Sequence, residues 1–533
     1  MKTLNGVLFV LCVAASAAWG AEPSKYLLAD PAAPQRIDYL VIAGDRFANG
    51  LAALADHRAK QGYAVGIVTM SSINAKFRSI PEFLKHAVTA WKKPAPTYLL
   101  LVGDVDAVPA TVKPGALKGW LSDADLATDF DYARPLGGRI SFHVGRFPCD
   151  TLDELAVMVR KTIAYETALP AGAWQHRLGF VASVGGYSKQ IDALLETIGM
   201  MVGTGSVPPA FDIAAAYGSP NSPYCPYPPK FNAAALDLFN RGSLLYLFAG
   251  HGSVRGVADI EWKGELYPIF SEDDARHLNV KDGLPIFVVI ACSTGQYDDD
   301  DCLGETYMKA EKGPVAFIGG SRVTQPYGNG LFAKAFVDAL FLPSRTLGEA
   351  LTRAKVDVLT NNLSMFRLQA DALGSMMQGK DLLAPMRSDV VRHYNLFGDP
   401  ALVIRHPKRN IKVTARGAVA EIEAPGHKKV ELTLECERSV LLHPVPEIGE
   451  DDPKAEAKMT ERYRGALDKV IERRTVQLKD GKGAVEFKRP TAPGRYFLKA
   501  SDGSSVGSAM IEVQPPETTP AKSSSAPARK ASK

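Results

Sequence analysis

Residues 244–253 read LLYLFAGHGS, and residues 286–295 read IFVVIACSTG. Each is an apolar run of strand length that closes in a turn of small residues. Short runs of branched and aromatic side chains bounded by glycine mark strands buried on both faces. One turn presents His251 and the other Cys292. Two buried strands that end alike, one in histidine and one in cysteine, imply a sheet whose carboxyl edge carries the chemistry.

The same pattern extends in both directions from this pair. IDYLVIAG (37–44), YAVGIVTM (63–70), TYLLLVGD (97–104), ISFHVGRF (140–147), RLGFVASV (177–184), FDIAAAY (211–217) and PVAFIGG (314–320) are further buried runs. Helical spacing separates most of them, over 47–61, 80–92, 151–167, 330–340 and 347–359. Pro81 falls in a first helical turn, where its missing N–H costs nothing. Strand and helix in alternation predict an α/β fold, with mostly parallel sheet covered by helices on both faces. The pattern runs to about residue 405, as one large unit or as two side by side.

The character changes near residue 408. IKVTARG, AVAEIEA, KKVELTLE, GAVEFKR, GRYFLKA and SAMIEVQ are short strands between turn residues, the spacing of an all-β, immunoglobulin-like sandwich. A charged stretch, EDDPKAEAKMTERYRGALDKVIERR (450–474), interrupts them and predicts a helical excursion. The last residues are rich in Pro, Ser, Ala and Lys, a composition that does not fold. The start has Lys2, an apolar stretch from Val7 to Ala15, and then small residues ending Ala18-Trp19-Gly20. That is the layout of a signal peptide cleaved before Ala21. The expected division is a signal peptide over 1–20, a linker over 21–36, α/β subdomains over 37–170 and 171–407, the sandwich over 408–514, and a disordered tail over 515–533.

Composition excludes some roles. A formal charge of +4 over 533 residues argues neither for nor against an acidic partner, and no nucleic-acid patch stands out in the sequence. No later segment is apolar for long enough to span a membrane. An exported chain, secreted, periplasmic or held at a cell surface, is the expectation. Export leaves five cysteines, namely Cys149, Cys225, Cys292, Cys302 and Cys436, with no CxxC pair and no zinc-ligand spacing. An odd number in an oxidising compartment leaves one thiol unpaired, and catalysis is one reason to keep it.

If the strands before His251 and Cys292 are neighbours, both side chains open on one crevice. A thiolate attacks carbonyl carbon, and an adjacent imidazole takes or holds its proton. Gly252 lets backbone approach a substrate closely. Its N–H and that of Cys292 then form a candidate oxyanion hole.

The two turns are similar to those of clan CD cysteine peptidases, in which a strand ending His-Gly precedes a strand ending Ala-Cys. More narrowly, the chain resembles the gingipain-type, caspase-like peptidases of family C25. YLLLVGDVDAVPA (98–110), HVGRFPCDTLDELAVMVRKTIAYE (143–166), AGHGS (249–253), IACSTG (290–295) and NLFGDPAL (395–402) carry the resemblance, over roughly 37–405. It implies that His251 is the catalytic base, Cys292 the nucleophile, and the Gly252 and Cys292 amides the oxyanion hole. Members of the family often have an acidic residue four positions before the glycine of the VGR segment, to orient the histidine. Here that position is Ser141, and Asp125 or Asp129 could take over the task. Members also often carry a long inhibitory N-terminal segment, which this sequence is not expected to have.

Other motifs stay open. QYDDDDCLGE (296–305) could attract a basic substrate side chain, bind structural calcium, or be a solvated loop. Cys302 could pair with another cysteine or latch the nucleophile. GDVDAVP (103–109) lacks the lysine and the spacing of a phosphate loop and reads as fold-building. The expected function is a secreted cysteine endopeptidase acting on protein or peptide substrates, with no cofactor required. Two rivals remain: a catalytically weak family member that serves as an exported interaction protein, and a sortase-like transpeptidase.

Overall fold

The computed structural model describes residues 24–117, 125–186, 205–446, 448–449 and 452–515. The signal-peptide segment, 1–20, and nearly all of the expected disordered tail lie outside the described residues.

One ten-stranded sheet organises the first 405 residues, in the order β2-β1-β3-β6-β14-β13-β12-β9-β7-β8. It is assembled from two blocks. The first contains β1 (Tyr39–Ala43), β2 (Val65–Thr69), β3 (Tyr98–Val102) and β6 (His143–Phe147), all parallel. A hairpin of β4 (Thr111–Pro114) and β5 (Asp125–Thr128) precedes β6. Helices α1 (Ala52–Lys60), α2 (Met70–Lys76), α3 (Ile80–Ala90) and α4 (Leu152–Thr167) connect and cover these strands. The second block contains β7 (Arg177–Ala182), β8 (Asp212–Tyr217), β9 (Leu245–Ala249), β12 (Ile286–Ile290) and β13 (Ala316–Gly320), again parallel, with a small hairpin of β10 (Ile260–Trp262) and β11 (Glu265–Tyr267). Its helices are α5 (Phe231–Asn240), α6 (Leu303–Lys309), α7 (Pro326–Phe341), α8 (Leu347–Thr360), α9 (Met365–Gln378) and α10 (Leu383–His393).

The last strand, β14 (Tyr394–Phe397), closes the seam. It pairs antiparallel with β13 and meets β6 in a single parallel register pair, Phe397 with Arg146. The two blocks therefore point their carboxyl edges in opposite directions. Both possibilities left by the sequence hold in part: the sheet is continuous, yet made of four strands and five with the seam strand between them.

Local chemistry sets the element boundaries. Strands β1, β2, β3 and β12 are buried at every position, which is why they read as unbroken apolar runs. The Thr151 side chain caps α4 by accepting from the Glu154 amide, and Glu154 returns the bond. Pro326 opens α7 in its first turn.

The remaining strands form two antiparallel sheets. One is β15-β16-β19, of Lys412–Arg416, Val419–Glu423 and Lys482–Glu486. The other is β18-β17-β20-β21, of Val470–Gln477, Lys429–Cys436, Gly494–Ser501 and Val506–Val513. Alternate residues of β17, Val430, Leu432 and Leu434, fill the core between them. The charged insertion supplies α11 (Ala455–Leu467), but its last residues, from Val470, already belong to β18. Pairing with β17 satisfies their backbone, and this outweighs the helical composition. Met459 of α11 is fully buried in the core of the large sheet. Lys499 meets Asp212 at 3.0 Å, and Arg438 donates to the carbonyls of Val207, Pro208 and Phe211. These contacts seat the sandwich against the β8 edge. Among the described residues, no helix is long and apolar enough to cross a membrane.

Candidate active site

Strands β9 and β12 are neighbours in parallel register, with Ala249 opposite Ile290. His251 and Cys292 each lie two residues past that pair, so both leave the sheet at one level. Both line the same cleft, together with Ser183, Gly185, Thr324 and Asn329. His251 is exposed and Cys292 half-buried.

The turns are tightly built. A β-carbon on Gly252 would stand 2.8 Å from each of Ala291 Cβ, the Cys292 carbonyl oxygen and Thr294 Cγ2. Only glycine lets the two turns pack this closely. Ser293, just after the thiol, sits at a φ of 54°, unusual for a residue with a side chain. Its amide donates to the Arg322 carbonyl at 3.1 Å, and that of Gly295 to the Gly320 carbonyl at 2.9 Å, which hold the bend. Neither the Gly252 nor the Cys292 amide donates to an acceptor among the described residues. Two N–H groups are thus left at the rim of the thiol turn.

His251 Nε2 lies 2.6 Å from the Gly185 carbonyl oxygen. A carbonyl only accepts, so Nε2 carries the hydrogen of this bond. Around the sulfur, the Thr324 amide donates to Cys292 Sγ at 3.3 Å. The hydroxyl and carbonyl oxygens of Thr324 each stand 3.6 Å from Sγ.

The residues considered for orienting the imidazole stand elsewhere. Ser141 precedes β6, and its amide donates to the Ala133 carbonyl. Three strands separate β6 from β9, a span of roughly 19 Å at about 4.8 Å per strand. Asp129 is 4% exposed and spent on Arg146, with both oxygens 2.8 Å from the guanidinium. Asp125 is exposed and meets the turn after β13 through its backbone carbonyl, accepting from Arg322 Nε at 3.0 Å. The Gly185 carbonyl, one strand away, holds the ring, and no side-chain pattern reveals it. Thr324 and Asn329 were missed as well. Their signal was the small-residue end of PVAFIGG, the same signature that drew attention to His251 and Cys292.

In the aspartate run, Asp298 pairs with Arg322, Asp300 with Arg255 and Asp301 with Lys309. The loop is braced by cations of the protein itself. Cys149, Cys225, Cys292, Cys302 and Cys436 are all free thiols, and only Cys292 is not buried. Burial pushes the Cys225 thiol up to about 12 and the Cys302 thiol far above its ordinary range. Cys302 has no exposure with which to act as a latch.

The longer motifs are scaffold. Arg146 of VGRFP also donates to the Gly103 and Val108 carbonyls at 2.8 Å, fixing GDVDAVP under the sheet. Arg58 is fully buried and pairs with Glu166 at 2.8 Å and with Asp399 of NLFGDPAL at 2.9 Å, while the Tyr39 hydroxyl donates to Asp399. A side chain at Gly145 would meet the Gly398 carbonyl at 2.2 Å, so the FGDP turn folds back over that position.

Known proteins agree with this architecture. The chain is 18% identical to the structure described as the Arg-specific cysteine proteinase gingipain R, with a TM-score of 0.52 over 90% of this chain and 99% of that one. A second structure, described only as a protease, gives 0.53 at 17% identity over 90% and 97%. The fold is that of a gingipain-like, caspase-like cysteine peptidase. Residues 32–405 match the model of peptidase family C25, and the chain belongs to that family. It is 24% identical to gingipain R1 of Porphyromonas gingivalis over 312 residues, 56% of this chain and 28% of that protein. Gingipain R2 of the same organism is 27% identical over 235 residues, 42% of this chain and 28% of that protein. The chain thus spans little more than a quarter of the length of these relatives.

Proposed function

We propose that this chain is an exported cysteine endopeptidase that works through Cys292 and His251. The observation that carries the reading is their placement: level with each other on adjacent strands, in one cleft, beside two amides that have no acceptor among the described residues. His251 Nδ1 takes the thiol proton while the Gly185 carbonyl keeps Nε2–H in place. The sulfur attacks the peptide carbonyl, and the Gly252 and Cys292 N–H groups receive the charge that develops on oxygen. Nδ1–H then protonates the leaving amine. Water, deprotonated by Nδ1, releases the acyl group and restores the thiol. The steps balance without a metal or cofactor. The strand order of the C-terminal sandwich suits an immunoglobulin-like module, and export is read from the first twenty residues.

The test is labelling of the mature chain with peptidyl acyloxymethyl ketones of different P1 residues, followed by mass mapping. Modification confined to Cys292 and lost in His251→Ala is expected. No labelling under reducing conditions would overturn the reading in favour of an interaction protein. Product analysis with added amine acceptors separates hydrolysis from transpeptidation.

A further inference from the structure

The thiol's surroundings extend well past Thr324. Thr324 Oγ1 accepts from Asn329 Nδ2 at 2.8 Å, and Asn329 Oδ1 accepts from the Tyr394 hydroxyl at 2.8 Å. Thr324 lies in the turn after β13, Asn329 in the first turns of α7, and Tyr394 at the start of β14. The Asn329 amide fixes the direction of the chain as far as Thr324 Oγ1. Thr324 Oγ1 accepts from Asn329 and stands 3.6 Å from Cys292 Sγ, a contact in which either atom can donate, so a hydroxyl hydrogen turned toward the sulfur completes the chain. Tyr394 is fully buried, with its ring stacked on Phe332 at 4.1 Å. Burial, and next the Cys292 sulfur, push its phenol far above the ordinary range, so it remains a donor.

We propose that Asn329 and Tyr394 are positioning residues for Cys292: a chain of hydrogen bonds from Tyr394 through Asn329 turns the Thr324 hydroxyl toward the sulfur and supports its thiolate. The protonated sulfur can donate to the Thr324 carbonyl at 3.6 Å. Once the proton leaves for His251, the amide and hydroxyl of Thr324 remain as two donors on one side of the thiolate. His251 approaches from β9, on the other flank of β12. The anchor is the seam strand that joins the two blocks, so the nucleophile's bearing is referred to the centre of the whole sheet. This proposal rests on the reading of Cys292 as the nucleophile.

The experiment measures the rate of iodoacetamide alkylation at Cys292 against pH, with site occupancy read by mass mapping on the full chain. Thr324→Val should slow alkylation at neutral pH about fivefold, the worth of one ordinary hydrogen bond, and move the profile's midpoint upward. Asn329→Leu should do nearly the same, and Tyr394→Phe somewhat less. In the Thr324→Val background, Asn329→Leu should add nothing, because it acts only through the hydroxyl. Additive effects, or an unmoved midpoint in Asn329→Leu, overturn the proposal. Tyr394→Phe keeps the stacked ring and carries the same test where Asn329→Leu fails to fold. The two readings fail separately. If the parent is not labelled by peptidyl ketones but the profiles shift, the relay stands and the peptidase reading falls. If the parent is labelled and the profiles do not shift, the reverse holds.

Discussion

The four-stranded block and the five-stranded block on either side of the seam use one pattern, parallel strands with covering helices, to opposite ends. In the first, charged side chains are buried and matched. Arg58 is shared by Glu166 and Asp399, and Arg146 is held in a fork by Asp129. In the second, the carboxyl edge leaves small residues and, among the described residues, two amides without acceptors and one accessible thiol. Burying matched ions is costly in solvation and contributes mainly a unique geometry. An edge with unmatched donors is costly too, and is useful only where a substrate completes it. The comparison teaches that one block fixes the sheet so that the other can afford an unfinished edge.

The sharpest way to break that comparison is to unmatch a charge in the first block. Arg146→Met leaves Asp129 buried without a partner and should lower the unfolding free energy by about 3–5 kcal/mol, read by denaturant melts. Adding Asp129→Leu should restore much of the loss. If the single variant costs nothing, the clamp is not structural.

The second way acts on the unfinished edge. Gly252→Ala drives a methyl into Ala291, Cys292 and Thr294, and should lower kcat about 10²–10³-fold by displacing an amide donor. The melt should move far less than in Arg146→Met. An active Gly252→Ala protein would remove Gly252 from the oxyanion hole.

The third and smallest effect concerns pH. Glu305, at the start of α6, is 1% exposed, and burial pushes its carboxyl up to about 8. Its folded value lies above the unfolded one. Its contribution is therefore whole below about pH 4.3 and is lost as pH rises toward 8. Glu305→Gln should melt like the parent near pH 4.5 and be more stable by ~1–3 kcal/mol at pH 8. A constant difference across that range would show that Glu305 titrates normally.

Much of this was legible in the sequence. The buried strands are continuous apolar runs, so nine of the ten strands of the large sheet could be read directly. His251 and Cys292 stood out because a polar residue in a small-residue turn at a strand end has few structural reasons to be there. The seam strand β14 was harder. Four residues, Tyr394–Phe397, carry little periodicity, and antiparallel pairing with β13 leaves no mark in a chain of otherwise parallel strands. Asp129 read as a candidate partner for the imidazole because its type fitted the task, yet Arg146 had already claimed it.

By itself the sequence determined the alternation of strands and helices, the change to a sandwich near residue 408, and the two turns that hold the thiol and the imidazole. These are local properties: side-chain period, turn residues and composition act over a few residues at a time. Only the tertiary structure decided what surrounds them. Gly185 lies 66 residues before His251, and Tyr394 lies 102 residues after Cys292. One is brought in by strand order and the other by the seam between the blocks. A hydrogen bond is made across space by groups whose sequence separation carries no signal, so the partners of a site are settled by the sheet's topology and its residues by the chain.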